Sequence, residues 1–319
     1  MLLKGWKNKM KPIYIINGFL ESGKTEFISF TIAQPYFQIR GKTLLIVCEE
    51  GEGEYDEELL KKSRTVVEVI DEEEDFTPEK LIELEKEHKP ERIILEYNGM
   101  WNSKDMKLPW HWQVEQQISI INGATFQTYY NNMRSLMVEQ VRKSELIIFN
   151  RCDGLNEQLG NFKRNIKAVN QQAEIIFEDK DGEINQLLEE DLPFDINAPV
   201  IELDNLGYGI WYLDSMDNLG RYLGKTVKFT AMVLRPKEFP DNEFVPGRMA
   251  MTCCEDDMAF IGFACDYEKA HELENKSWVE VTATVDKAYR EEYKGEGPVL
   301  HAISVTPTKK PKKEVIDFQ

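Results

Sequence analysis

The chain has 319 residues, 42% hydrophobic and 30% charged, which is enough apolar mass for two packed domains. A formal net charge of −18 argues against a nucleic-acid or anionic-lipid binder, because such a surface repels polyanions unless a local basic patch overrides it. Five cysteines, sparse and odd in number, exclude a disulfide framework and point to a reducing, cytoplasmic compartment.

The opening MLLKGWKNKMKP has too short an apolar run for a secretory signal. Nowhere do about 18 apolar residues run together, so no direct membrane insertion is expected. Short apolar runs then alternate with helical stretches. The runs are PIYIING (12–18), KTLLIVCE (42–49), TVVEVID (65–71), RIILEYNG (92–99), QISIINGA (117–124) and ELIIFNRCD (145–153). Between them, 77–90 and 130–144 space their apolar residues as helices do, and Thr77-Pro78 is a capping hydroxyl followed by proline at the first helical position. Strand–helix alternation with runs apolar on both faces predicts an α/β domain with a mostly parallel sheet.

The first run leads into Gly18-Phe-Leu-Glu-Ser-Gly23-Lys24-Thr25, a phosphate-binding loop between a strand and a helix. Gly18, Glu21, Ser22, Gly23, Lys24, Thr25 and Glu26 are its expected nucleotide contacts. Backbone amides would curl round phosphates, Lys24 would reach the β- and γ-phosphates, and the Thr25 hydroxyl would ligate Mg²⁺. Lys24 and Thr25 are therefore the candidate catalytic residues. Glu96, ending the fourth run, is placed to face Mg²⁺, and Glu49 is a further candidate ligand. The sixth run ends Asn150-Arg151-Cys152-Asp153, close to the N-K-x-D pattern in which an aspartate accepts from guanine. Arg151 stands where lysine would, and its flat guanidinium can still cover a base. The plainer account is a turn after a buried strand.

These stretches together, with CEEGEGEYDEEL and AVNQQAEII, resemble the metallochaperone class of P-loop GTPases, and more narrowly the CobW-type family, over about residues 11–190. The resemblance implies GTP with Mg²⁺, a switch segment at 49–54 and a second at 96–99. It also implies a role in handling or delivering a metal such as Zn²⁺, with a metal-requiring client protein as partner. Departures accompany it. The family's metal-binding C-x-C-C is replaced by the acidic 71–75, Glu21 replaces a loop glycine, and Glu26 replaces a second threonine. A Glu21 carboxylate facing a phosphate at about 4 Å would be repelled by roughly 4 kcal/mol at an effective dielectric near 20, about a thousandfold in affinity. Turned into water, it would cost far less. The alternative function is accordingly a regulatory or scaffold protein that binds nucleotide without hydrolysing it.

From 224 onward the runs are short, alternating and β-rich, at 224–236, 248–254, 259–265, 278–289 and 299–308. They predict a small OB-like β-barrel. Adjacent Cys253 and Cys254, with Cys265, Asp256, Asp257 and His271 nearby, could form a soft-metal site, although the spacing fits no standard zinc motif. One thiol buried and one exposed is the simpler account. YLGKTVKFTAMV, FVPGRMAMTCC and WVEVTATV are similar to the soluble carboxy-terminal domain of small bacterial membrane proteins that pair with a permease. That resemblance implies a permease as a candidate partner. Trp101, Trp110 and Trp112 are read as core or interface residues. The expected layout is a GTPase domain over 11–195, a linker over 196–210, the barrel over 211–308 and a mobile tail over 309–319.

Overall fold

Each of the six apolar runs of the amino-terminal half forms a strand of one sheet. The computed structural model describes residues 10–49, 54–184, 192–236, 239–251 and 258–317. The chain divides into two units, one of residues 1–159 with 172–188 and the other of 160–171 with 189–319.

In chain order the first unit's elements are β1 (Lys11–Asn17), α1 (Lys24–Ala33), β2 (Thr43–Val47), α2 (Glu57–Ser63), β3 (Thr65–Val69), α3 (Pro78–His88), β4 (Arg92–Glu96), β5 (Trp112–Asn122), α4 (Gly123–Asn132), α5 (Arg134–Val141) and β6 (Leu146–Asn150). After α6 (Asn156–Lys167), through which the division passes, come β7 (Glu174–Asp179) and β8 (Gly182–Glu183). The sheet order is β3-β2-β4-β1-β5-β6-β7-β8, parallel except for β8. Every residue of β2 and β4 is buried, as strands covered on both faces require. The Thr77 hydroxyl accepts from the Lys80 amide at 3.3 Å, so α3 starts where its sequence says. The stretch 130–144 is not one helix, because Met133 leaves the helical region and separates α4 from α5.

Parallel strands bring their carboxyl ends to one edge of the sheet, where ligands of open α/β folds bind. The loop after β1, Glu96 at the end of β4 and Asn150 at the end of β6 therefore converge on that edge. Of the three tryptophans, Trp101 and Trp112 pack with Phe76 and Tyr97 in the core, while Trp110 is 74% exposed.

The second unit contains β9 (Ile201–Leu203), α7 (Asn205–Asp217), β10 (Thr226–Leu234), β11 (Glu243–Met251), β12 (Met258–Gly262), β13 (Cys265–Asp266), β14 (Trp278–Arg290), β15 (Gly295–Pro307) and β16 (Val315–Asp317). Its sheet is mixed: β10 pairs antiparallel with β11 and β14 and parallel with β9, and β13 pairs parallel with β15. Inward residues alternate along β10 and β14, from Val227 to Val233 and Val279 to Val285, around Trp211, Tyr208 and Tyr222. Two boundaries differ from expectation. Residues 196–210 are no linker, because β9 pairs with β10 and α7 begins at Asn205. Residues 309–317 are no free tail, because β16 pairs with β11 and the buried Arg248 guanidinium donates to the carbonyls of Lys313 and Glu314. Asp204 caps α7 by accepting from the Gly207 amide at 2.7 Å, and the helix glycines hide that start from propensity.

Asp214 on α7 is almost wholly buried, and its carboxylate accepts from Tyr222 Oη at 2.5 Å, Asn218 Nδ2 at 2.7 Å and Arg221 Nη1 at 3.1 Å. Removing one side of such a network strands its donors, at a cost of roughly 3 kcal/mol. Asp214→Ala is therefore expected to lower the unfolding free energy measured by urea titration by about that amount. A loss below about 1 kcal/mol would show that the network does not hold this turn.

Candidate functional site

β1 delivers the buried Asn17 to the loop, and Gly18 then turns with φ +150°. A Cβ at Gly18 would lie 2.4 Å from the Ile120 carbonyl oxygen, so the close approach requires glycine. Gly23, with φ +99°, caps α1, and a Cβ there would lie 2.6 Å from Asn150 Nδ2. The loop thus has the form that its glycines predict, at the amino terminus of a helix whose first amides point outward.

Lys24 is 4% exposed and bends back over the loop. Its ammonium donates to the carbonyls of Gly18 at 2.8 Å and Phe19 at 3.1 Å, and it pairs with Glu49 Oε2 at 2.5 Å. Three acceptors match the ammonium's three N–H bonds, so a phosphate reaching Lys24 must take Glu49's place. Next to it, Thr25 Oγ1 donates to Glu96 Oε1 at 2.9 Å and Tyr55 Oη donates to Glu96 Oε2. Burial holds the Glu96 carboxyl above the usual carboxylate range, opposed by the Tyr55 and Thr25 hydrogen bonds and the Lys24 charge. The Tyr55 phenol is likewise pushed up, by burial first and then by the Glu96 charge. Asn98 Nδ2 donates to the Cys48 carbonyl at 3.0 Å and joins the end of β2 to the turn after β4. Asn98 falls in the second switch segment at 96–99, whereas the sequence does not single out Tyr55. Tyr55 stands in an acidic run that invites a purely electrostatic account.

Leu20, Ser22, Gly23, Thr25 and Glu26 line a cavity of about 410 Å³ with Glu21, Lys24, Glu49, Glu96 and Arg151. Hard-cation chemistry fits its inner end, where the Thr25 hydroxyl and the Glu96 carboxylate lie together and Glu49 is close by. Glu21 has φ +58° and keeps the left-handed backbone of the glycine it replaces, with its side chain exposed. The strong repulsion considered from the sequence is therefore screened by water. Arg151, φ +54°, donates to the Glu21 carbonyl at 2.8 Å and reaches the exposed Glu26 carboxylate at 3.5 Å. Asn150 Nδ2 donates to the Ser22 carbonyl at 2.7 Å, so the end of β6 is clamped to the loop. Asp153 is not brought in. It is exposed, accepts from the Lys180 amide at 3.4 Å and forms no part of the cavity wall.

Cys253, Cys254, Asp256 and Asp257 lie outside the described residues, as do residues 50–53 of the acidic stretch. Among the described residues no three His, Cys, Asp or Glu side chains are grouped to hold a metal ion. Cys265 is fully buried in its core, and His271 is exposed beside Glu272, so these two do not form the soft-metal cluster considered from spacing. Residues 71–75 are exposed, as a solvated loop would be. Among the described residues no helix is long and apolar enough to cross a membrane.

Residues 12–177, just over half of the chain, match the family described as CobW/HypB/UreG, nucleotide-binding domain, and residues 179–316 match the DUF1980 C-terminal domain. Among solved structures, the hydrogenase maturation factor HypB from Archaeoglobus fulgidus is similar at 17% identity and TM-score 0.39, covering 55% of this chain and 85% of that one. The Zn(II)-bound YjiA GTPase from E. coli aligns at 15% identity and TM-score 0.40, covering 79% and 88%. HypB from Helicobacter pylori in complex with nickel aligns at 12% identity and TM-score 0.35, covering 52% and 79%. No curated protein matches the sequence.

Two expectations follow. Glu21→Gly removes a left-handed non-glycine residue, worth about 1–2 kcal/mol, against a glycine entropy cost of about 0.5–1 kcal/mol. Thermal stability should therefore rise slightly and nucleotide affinity by less than about tenfold. A thousandfold gain in a binding titration would show that the carboxylate faces the phosphates after all. Burial pushes the Cys152 thiol up to about 11 and raises Cys48 and Cys265 further. All three should resist iodoacetamide at pH 8 until denaturant is added, as peptide mass spectrometry would report.

Proposed function

The chain belongs to the CobW/HypB/UreG nucleotide-binding family, and from that premise we propose that it is a GTP-binding protein and Mg²⁺-dependent GTPase acting in metal handling. The observation that carries the reading is the cavity in which Lys24 and the Thr25–Glu96 pair line one wall of a glycine-turned loop. Phosphates would meet the loop amides and Lys24, with Glu49 displaced from the ammonium. Thr25 and Glu96 would hold Mg²⁺, which supplies charge neutralisation for the phosphoryl group. The cavity wall carries Glu21, Glu26, Glu49 and Glu96 against Lys24 and Arg151, so a triphosphate without a divalent ion meets net repulsion. Tyr55 ends the acidic stretch 49–54 on Glu96, which supports that stretch as the segment that responds to the nucleotide. The family resemblance supports metal delivery to a client protein in the cytoplasm, with Zn²⁺ as one cargo.

For the second unit the reading is a small OB-like barrel. The pairings supporting it run in a ring, β10 to β11, β13, β15, β14 and back to β10. Its similarity to permease-associated domains makes a membrane permease the partner to seek. Nucleotide binding without turnover is the second reading, favoured by Glu21 in the loop and by the Lys24–Glu49 pair that a phosphate must open.

The test is a titration of the full chain with a fluorescent GTP analogue and Mg²⁺, with GTP and ATP as competitors. Micromolar binding displaced by GTP but not ATP, and weakened roughly a hundredfold in Lys24→Ala, is the expected result. Equal binding by wild type and Lys24→Ala would sink the proposed site. Tight binding without phosphate release would favour the non-hydrolysing reading.

A further inference from the structure

A second cavity, of about 320 Å³, shares Gly23 and Glu26 with the phosphate cavity and continues away from it. Phe27 and Phe30 of α1 and Ile120 and Ile148 of the sheet form its apolar walls, and its polar groups are Asn150, Glu178 and the exposed Glu26, whose carboxylate faces Arg151. The sheet register explains the meeting. Phe149 of β6 is level with Phe177 of β7, so Asn150 and Glu178, one residue further on, stand side by side at the carboxyl ends of the two strands. The Cys152 amide donates to the Glu178 carbonyl at 2.9 Å and ties the turn after β6 to β7.

The polar edge of this cavity is an acceptor edge. Asn150 Nδ2 is committed to the Ser22 carbonyl, which can only accept, so the amide is oriented with Oδ1 as its remaining polar atom. Asn150 Oδ1 is buried without a hydrogen-bond partner among the described residues. Beside it is a carboxylate. A flat ring with adjacent N–H donors satisfies both groups, and guanine offers N1–H and the N2 amino hydrogens on one edge. Adenine offers an unprotonated N1 and a C–H there. Phe30 leaves 65% of its surface open at the mouth, where a planar base would cover it.

Resting on the GTP reading above, we propose that the guanine base is read in this second cavity by Glu178 and Asn150, and that Asp153 takes no part in reading it. The carboxylate that the N-K-x-D pattern singles out is exposed and lies in the wall of neither cavity. The carboxylate that lines the cavity beside Asn150 lies on the next strand, in a stretch that carries no pattern of its own, while Glu26, also in the wall, is exposed and faces Arg151. Burial, and then the neighbouring Glu183 charge, holds the Glu178 carboxyl above the usual range, as expected of a partly desolvated acceptor whose hydrogen bonds count for more than those in water.

Full-length wild type, Glu178→Gln, Asp153→Asn and Phe30→Ala are titrated with the fluorescent GTP analogue and Mg²⁺, then competed with GTP, XTP, ATP and inorganic tripolyphosphate. A glutamine amide can donate to the C2 oxygen of xanthine, where guanine carries its amino group. Glu178→Gln should lose roughly 10- to 150-fold in GTP affinity and gain XTP affinity, while Asp153→Asn matches wild type. Phe30→Ala, on the helix surface, should weaken GTP several-fold but leave tripolyphosphate competition unchanged. Tripolyphosphate reports the phosphate cavity in every variant, so a misfolded protein is recognised by its loss. A gain of XTP affinity in Asp153→Asn, or none in a Glu178→Gln protein that still binds tripolyphosphate, overturns the proposal. Failure of wild type to bind any guanine nucleotide defeats the GTP reading itself and is seen before any variant is compared.

Discussion

A buried ammonium must be matched by acceptors, and much of the site follows from how Lys24 is matched. Two of its partners are carbonyls of the loop's own first residues, so the side chain and the loop hold each other in shape. The third is Glu49, ten per cent exposed, at the end of the strand beside β4. Taking either charge out of water alone would cost several kcal/mol. The pair therefore sets where the acidic stretch begins, and an anionic ligand must exchange with a carboxylate in order to enter.

The same economy of contacts governs the neighbouring tethers. Glu96 is nearly inaccessible and accepts from Thr25 on one oxygen and Tyr55 on the other, so one carboxylate joins the first turn of α1 to the residues before α2. Asn150 performs the corresponding task at the end of β6, joining that strand to Ser22. Arg151 adds a bond to the Glu21 carbonyl, while its contact with Glu26 is exposed and contributes little. Glu21 and Arg151, both left-handed non-glycine residues lining the phosphate cavity, are thus bonded to each other through a backbone carbonyl. This contact gives each strained turn a partner.

In the second unit, too, a few buried polar groups order the ends of the elements around an apolar centre. Arg248 is 2% exposed, lies over the Trp278 ring and holds the carbonyls of Lys313 and Glu314, just before the final strand. Asp214 gathers the end of α7 and the turn after it. The aromatic core of Tyr208, Trp211, Phe229 and Phe263 supplies the packing, and these polar contacts decide where the chain ends lie.

Whatever depends on local spacing was legible in the order of residues. The apolar runs marked β1 to β6, Thr77-Pro78 marked the start of α3, and Gly18-x-x-x-x-Gly23-Lys24-Thr25 marked the loop, because each follows from the chemistry of a few consecutive residues. Membership of the family was legible from the same runs. Contacts between residues far apart in the chain were not legible. The partnership of Tyr55 with Glu96, the clamp of Asn150 on Ser22 and the exposure of Glu21 depend on strand order and on which side chains water can reach. The linker and tail readings failed for the same reason, since β9 and β16 are short strands stabilised only by the neighbours with which they pair. Only the tertiary structure set Glu178 beside Asn150 and left Asp153 in solvent, because register across a parallel sheet places side chains that no local pattern connects.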